Sequence, residues 1–293
     1  MHDNAFLPIV LSGLSTGSIF SLIAIGITII YKSTGAINFA QGEWVMLGGL
    51  LAAFGVSHLN LPVWAACVVS TFVVAAIGVL SERCIIARIR EPSALKLTLV
   101  TVGLALACRG LAMLVLGRSP QGYPGLSGDA TFALVGAVVS TQTLWILGVA
   151  LLAMCTLQAF FQRTLVGTAI RASAANEDAA ALMGVRRENA TTLTFLIAAA
   201  FGGLAGALVT PLTLMSFDSG APLGFKAFSA AMLGGLGNLQ GAVLGGLVLG
   251  VIDALAGGYV SSQFKDVTSF AILIAVLVTR PQGLLGRRDV VKV

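Results

Sequence analysis

Apolar residues in this chain run in long unbroken stretches, without the two-residue or 3.6-residue alternation of half-exposed elements. The stretches cover about 6–30, 41–57, 62–81, 95–116, 143–161, 190–210, 225–236, 240–256 and 266–280. A helix of roughly 20 apolar residues crosses the hydrocarbon core of a bilayer, and most stretches approach that length. The stretch at 225–236 is too short to cross alone, which predicts a broken or re-entrant element buried within the protein. The pattern predicts an all-α, polytopic helical membrane protein with eight or nine membrane segments, one of them short or broken. The first stretch is too long for a secretory signal and has only Asp3 as a charged residue before it, so it reads as a retained helix. No connection is large enough for a soluble domain, and residues 1–293 read as a single transmembrane domain.

Two connections differ from the rest. Residues 117–142 contain Pro120, Gly122, Pro124, Gly125, Gly128 and Asp129 and predict an irregular outer loop. Residues 162–189 are polar and predict a cytoplasmic loop that carries a short helix over about 173–184. Asn176 suits its N-cap, Glu177 and Asp178 suit the positive end of its dipole, and Gly184 suits its C-terminal stop. Leu182 and Met183 place apolar side chains on a helix outside the membrane, where they need a surface to bury against. A partner with a hydrophobic groove would satisfy them, with Arg171 and Arg186 guiding it at the rim.

Composition strengthens the membrane reading. Hydrophobic residues make up 57% of the 293 positions and charged residues 10%, against roughly 25% charged in a soluble domain. That excludes an ordinary soluble enzyme and a disordered chain. The 35 glycines suit close helix packing in lipid, and Gly202-x-x-x-Gly206 has the small-residue spacing for it. The net charge of +5 comes from basic residues beside apolar stretches, a pattern of membrane orientation rather than nucleic-acid binding. Placing the N-terminus outside puts Lys32, Arg83, Arg88, Arg90, Lys96, Arg163, Arg171, Arg186, Arg187, Arg280, Arg287, Arg288 and Lys292 on the cytoplasmic side. Only Arg118, Lys226 and Lys265 then fall outside, so the C-terminus is expected in the cytoplasm. Cys67, Cys84, Cys108 and Cys155 show no metal or disulfide spacing, and His2 and His58 sit near the ends of stretches, so no metal site is expected. No P-loop occurs, so the chain binds no ATP through such a loop of its own.

The candidate functional residues follow from polarity in apolar surroundings. Asn38, Gln41 and Glu43 open the second stretch; they are either a polar helix start at the surface or groups lining a translocation path. Gly234, Gly235 and Asn238 mark either close packing or a broken helix with exposed carbonyls on that path. Arg109 and Asp253 are intramembrane charges, readable as a structural pair, as snorkelling helix ends or as functional groups such as a proton relay. Asn38-Phe39-Ala40-Gln41-Gly42 is echoed by Asn238-Leu239-Gln240-Gly241, readable as an internal repeat or as chance between glycine-rich segments.

Four blocks carry a resemblance. They are Gly17-Ser18-Ile19-Phe20-Ser21-Leu22 with Ile37-Asn38-Phe39-Ala40-Gln41-Gly42-Glu43; Gly167-Thr168-Ala169-Ile170-Arg171-Ala172 with Asn176-Glu177-Asp178-Ala179-Ala180-Ala181-Leu182-Met183-Gly184; Gly224-Phe225-Lys226 through Gly234-Gly235-Leu236-Gly237-Asn238; and Lys265-Asp266-Val267 with Arg280-Pro281-Gln282-Gly283. In that order the chain resembles inner-membrane permease subunits of ABC importers for branched-chain amino acids, of the LivH type. The resemblance implies a bacterial inner-membrane protein working by alternating access beside a second, distinct permease. It also implies two cytoplasmic ABC ATPase subunits that use the ATP and a periplasmic substrate-binding protein. Under it, Arg171, Asn176, Glu177, Ala179, Ala180, Leu182, Met183 and Gly184 belong to the coupling helix that docks on an ATPase. The chain departs from the family at Gln41, where some members have His, and at Gln240, where Pro is common, so the resemblance does not fix the substrate, related permeases serving urea, short amides and other amino acids. The rival reading from the residues is a stand-alone secondary transporter or channel, with Glu43 and Asp253 serving protons or ions.

Overall fold

The computed structural model describes residues 6–89, 93–134, 137–259, 265–280 and 282–286. His2, Asp3, Arg90, Pro281, Arg287, Arg288 and Lys292, named above, lie outside the described residues. Six described helices are long and apolar enough to cross a membrane: α1 (Phe6–Thr34), α3 (Val63–Cys84), α4 (Ala94–Val115), α5 (Thr141–Arg163), α8 (Arg187–Val209) and α10 (Leu239–Tyr259). The other three expected segments hold α2 (Gln41–Ser57), α9 (Gly220–Gly234) and α11 (Lys265–Thr279), of 17, 15 and 15 residues. The chain is therefore a helical membrane protein in which length and apolarity single out six crossing helices, fewer than the eight or nine expected. The expected short element at 225–236 is present and starts earlier, at Gly220.

Helix α1 is the centre of the bundle. It is apolar all round, and a helix of that kind belongs in a core. It packs against α10, α8, α9 and α5. Glycine sets the approach to α10: a Cβ on Gly13 would meet Val251 and Ala254, and one on Gly17 would meet Leu247 and Gly246. The numbers rise on one helix as they fall on the other, so the two run antiparallel. The Ser21 hydroxyl donates to the Val243 carbonyl at 2.8 Å across the same seam. Helices α2, α3 and α8 form a second tight group, in which Gly48 faces Gly203 and Gly206 faces Val45 and Gly49. Gln41 lies at Ala198, Gly48 at Gly203 and Gly49 at Thr210, so the numbers rise together and the pair is parallel.

The expected irregular loop at 117–142 is more ordered than its sequence suggested. Strands β2 (Thr131–Leu134) and β3 (Ala137–Ser140) pair antiparallel, and β1 (Leu126–Asp129) precedes them, so the all-α reading needs this correction. The pairing satisfies backbone groups that a polar, non-helical segment would otherwise leave to water. Gln121 and Met215 exchange both backbone hydrogen bonds at 2.8 Å, clamping the loop to the connection between α8 and α9. Tyr123 inserts below it and donates to the Ala207 carbonyl. Burial, with Cys67 beside it, pushes the Tyr123 hydroxyl well above its ordinary titration range and keeps it a donor.

Candidate functional site

The connection between α1 and α2 turns back into the bundle. A Cβ on Gly26 would run into the Gln41 side chain, so α2 begins alongside Gly26. Helix α1 continues to Thr34, about 12 Å farther along its axis. Residues 35–40 climb back over that distance without helical structure. Non-helical backbone is tolerated at such depth only where protein or a cavity receives its polar groups. Thr101 of α4 receives part of them: its hydroxyl accepts from the Phe39 N–H and lies 3.2 Å from the Ile37 carbonyl. Asn38 Oδ1 takes the Ala40 N–H at 3.1 Å.

Helix α9 begins against the same point. Gly220, its first residue, lies under the Glu43 side chain, and Gly224 packs on Gly42. Glu43 therefore stands in the first turn of α2 and beside the N-terminus of α9, at the positive ends of two helix dipoles. Side chains in place of Gly42 and Gly220 would hold the two helices apart.

Between α1, α2, α4 and α9 lies a cavity of about 370 Å³ lined by Asn38, Gln41, Glu43 and Arg109 and by the apolar residues Ile27, Phe39, Leu106, Phe225 and Phe228. Its size falls in the range of small-molecule sites, roughly 300–1,000 Å³. Asn38, Gln41 and Glu43 are only 2%, 1% and 3% exposed. Gln41 Nε2 donates to the Ala198 carbonyl of α8 at 2.9 Å. Asn38 Nδ2, Gln41 Oε1 and Glu43 Oε2 are buried without a hydrogen-bond partner among the described residues. Phe39 meets the rings of Phe225 and Phe228 at 6.1 and 6.2 Å, closing the apolar wall. The Arg109 guanidinium is held over the Phe217 ring, 5.6 Å from its centroid. The next loop residue, Asp218, is exposed; a hydrogen bond from the Ser216 hydroxyl holds its carboxyl below the usual carboxylate range.

The structure separates the candidates that the sequence grouped. Asn38, Gln41, Glu43 and Arg109 come together at the cavity. Gly234, Gly235 and Asn238 are not among its lining residues. They build the turn after α9 instead, where Gly235 adopts φ +105° and the C-terminal segment folds back on it. Leu284 and Leu285 donate to the Leu233 and Gly234 carbonyls, and Asn238 Nδ2 donates to the Leu285 carbonyl at 2.8 Å. Asn238 also caps α10 through its Oδ1, whereas Asn38 Oδ1 takes the Ala40 N–H just ahead of α2, so the two asparagines share a bond to the amide two residues on and only Asn238 caps a helix. Asp253 does not pair with Arg109. It lies 3.4 Å from Lys226 of α9 and accepts from Ser269 of α11 at 3.1 Å. Lys226 thus lies within the bundle, partly buried, and not in an outer connection; its place at the head of the 225–236 apolar stretch was the available signal. Thr101, which supports the connection, and Phe39, which lines the cavity, were not singled out from sequence, because a threonine inside an apolar run and a phenylalanine beside one give no such signal.

The inner connection is two helices where one was expected over 173–184. Helix α6 (Leu165–Ala175) ends and α7 (Glu177–Leu182) begins at Asn176, whose extended backbone breaks the axis. Asn176 Oδ1 accepts from the Ala179 N–H at 3.0 Å, the expected cap. At the far end the Val185 N–H bonds to the Ala180 carbonyl and the Gly184 N–H to the Ala181 carbonyl, with Gly184 at φ +84°. That pair of bonds is a Schellman stop, which glycine accommodates without steric cost. Leu182 and Met183 are 90% and 85% exposed. Arg171, Glu177, Ala179 and Gly184 are also exposed, whereas Ala180 is buried inside the chain and so cannot belong to an outward docking face. Arg187 bridges to Glu177 at 2.6 Å and ties α7 to the start of α8.

Comparison with known proteins places these features. Residues 9–277 match the family model described as the permease component of branched-chain amino acid transport systems. The chain is 36% identical over 301 residues to the high-affinity branched-chain amino acid transport system permease protein BraD of Pseudomonas aeruginosa, covering 98% of each. It is 35% identical over 303 residues to the corresponding LivH protein of Escherichia coli K12, again covering 98% of each. The ribose import permease protein RbsC of Haemophilus influenzae is more distant, at 27% identity over 281 residues, 92% of this chain and 84% of RbsC. Among solved structures, PsaBC from Streptococcus pneumoniae in complex with Fab shares the fold, with a TM-score of 0.51 at 14% identity over 92% of this chain and 91% of that one.

Proposed function

The chain belongs to the family of branched-chain amino acid transport permease components, and from that premise we propose that it forms one half of the membrane pore of an ATP-driven importer for branched-chain or other hydrophobic amino acids. It is a transport subunit and not an enzyme. Its partners in this reading are a second permease of related but distinct sequence, two cytoplasmic ABC ATPases and a periplasmic substrate-binding protein. ATP is bound and hydrolysed on the ATPases, and this chain holds no cofactor. It lies in the bacterial inner membrane as one transmembrane domain, residues 1–293, with its N-terminus outside and its C-terminus in the cytoplasm. The basic residues Arg83, Arg163, Arg171, Arg186 and Arg187 at one end of the spans support that orientation.

The observation that carries the proposal is the α6–α7 segment. A capped and stopped helix outside the spanning helices leaves Leu165, Leu182 and Met183 in the open. Large apolar side chains so exposed are explained by a docking partner. ATP-driven closure of the ATPases would push α7. The Arg187–Glu177 bridge passes that push to α8, and the Gln41–Ala198 hydrogen bond links α8 to the start of α2 at the cavity. In this reading the push converts the outward-facing pore to the inward-facing one, the change of access that transport requires. Residues 162–189 then act as the coupling loop.

The test replaces Leu182 and Met183 together with aspartate in the complete importer. ATP-dependent leucine uptake is expected to fall at least about 100-fold, and the ATPases to be lost on purification. Insertion and pairing with the second permease are expected to persist. Normal uptake and normal co-purification would refute the docking role.

A further inference from the structure

We propose that the cavity between α1, α2, α4 and α9 is a recognition site for the zwitterionic head of a free amino acid. It rests on the transport reading above and adds where in the pore the substrate is held and by which atoms.

Asn38 Oδ1 accepts from the Ala40 N–H, which leaves Nδ2 as its free donor. Gln41 Nε2 donates to Ala198, which leaves Oε1 as its free acceptor. These partners fix the orientation of both amides. Glu43 Oε2 is a second free acceptor, and Arg109 supplies a cation on the same wall. Neither Glu43 nor Arg109 forms an ion pair with a described residue. Glu43 and Arg109 thus set a carboxylate and a cation in the cavity lining, with the unpartnered amide atoms of Asn38 and Gln41 buried beside them. An α-ammonium group carries donors only and an α-carboxylate acceptors only. The ammonium is assigned to Glu43 and the carboxylate to Arg109. The remaining wall of Phe39, Phe225 and Phe228 receives an apolar side chain. An unpaired carboxylate inside a membrane protein is costly, and so are buried polar groups without partners. A zwitterion relieves several of these costs at once, whereas a neutral sugar or a simple cation meets only part of the set.

The test uses the permease pair with its ATPases in nanodiscs, without the binding protein, and radiolabelled L-leucine as probe. Competitors are leucinamide, which lacks the carboxylate, and 4-methylpentanoate, which lacks the ammonium. The wild-type complex is expected to bind leucine saturably and to prefer it at least about 10-fold over either competitor. R109Q is expected to lose the preference over leucinamide alone, and E43Q the preference over 4-methylpentanoate alone. A merely structural role would lower all three affinities together. Arg109 is only half-buried and rests on a ring, so R109Q gives the answer even where E43Q fails to assemble. Absence of ATP-driven leucine uptake by the complete wild-type system would overturn the transport reading itself. Intact uptake with no saturable leucine binding to the permease–ATPase complex, or with unchanged competitor preference in R109Q, would overturn the site alone.

Discussion

The cavity at the start of α2 and the α6–α7 segment break the usual distribution of polar and apolar surface in opposite directions. At the cavity, three polar side chains are almost wholly buried and keep unpartnered atoms. On α7, two large apolar side chains stand almost fully in the open. Both arrangements cost free energy in the isolated chain, and each is relieved by something outside it. The missing partner differs in kind: a small polar solute for the first and a protein surface for the second. The supports differ as well. The cavity is held by glycine contacts between helices far apart in sequence, while α7 is held by its own caps and one ion pair.

That contrast predicts global sensitivity in one region and local sensitivity in the other. The largest effect is expected from Gly206→Val. Its Cβ would collide with the Val45 carbonyl, a backbone atom that cannot swing aside. Overpacking there should cost at least about 3 kcal/mol and remove the monodisperse peak in detergent size-exclusion chromatography. Gly184→Val meets nothing within 4 Å and bears only its positive φ, about 1–2 kcal/mol. It should elute as the wild type does. Equal loss in both variants would erase the distinction.

A smaller effect is expected from Asn176→Ala, which removes the α7 cap. The cost is about 1 kcal/mol. Hydrogen exchange at the Ala179 amide should accelerate several-fold while the melting temperature stays put. A drop in melting temperature would show that α7 is coupled to the core more tightly than its contacts indicate.

The smallest effect concerns Asp218, in the loop beside Arg109. The Ser216 hydroxyl holds its folded pKa below the ordinary aspartate value. A depressed carboxylate pKa adds stability above the unfolded value, and this is lost as pH falls through the folded value. The Ser216–Asp218 contact is therefore expected to persist at neutral pH and to loosen only in acid, below about pH 3.8. Ser216→Ala should move the carboxylate band of an infrared titration up towards the ordinary value. No movement would mean that another group holds Asp218 down.

Much of this was legible from apolar runs and glycine. The spans, the cap at Asn176 and the stop at Gly184 depend on local geometry, and a sequence records that directly. The depth at which α2 begins was not legible, since it follows from Gly26 meeting Gln41 across the α1–α2 turn. Gly234 and Gly235 were readable either as close packing or as part of a path, and sequence could not choose between them. Glycine marks close approach equally well when the neighbour is the chain's own C-terminal segment. Lys226 was assigned to an outer connection because a charge near the end of a short apolar run reads as a boundary, and only its neighbour Asp253 on α10 reveals a pair within the bundle.

The seam between α1 and α10 also constrains how the protein is made. Ser21 and Val243 are bonded across 222 positions of chain. At roughly 5–20 residues per second, a ribosome needs about 10–45 seconds to synthesise the stretch between them. Helix α1 therefore enters the membrane long before its main partner exists, and its uniformly apolar surface lets it wait in lipid. The helix destined for the centre of the bundle spends its first moments as a solitary anchor, and the core closes around it last.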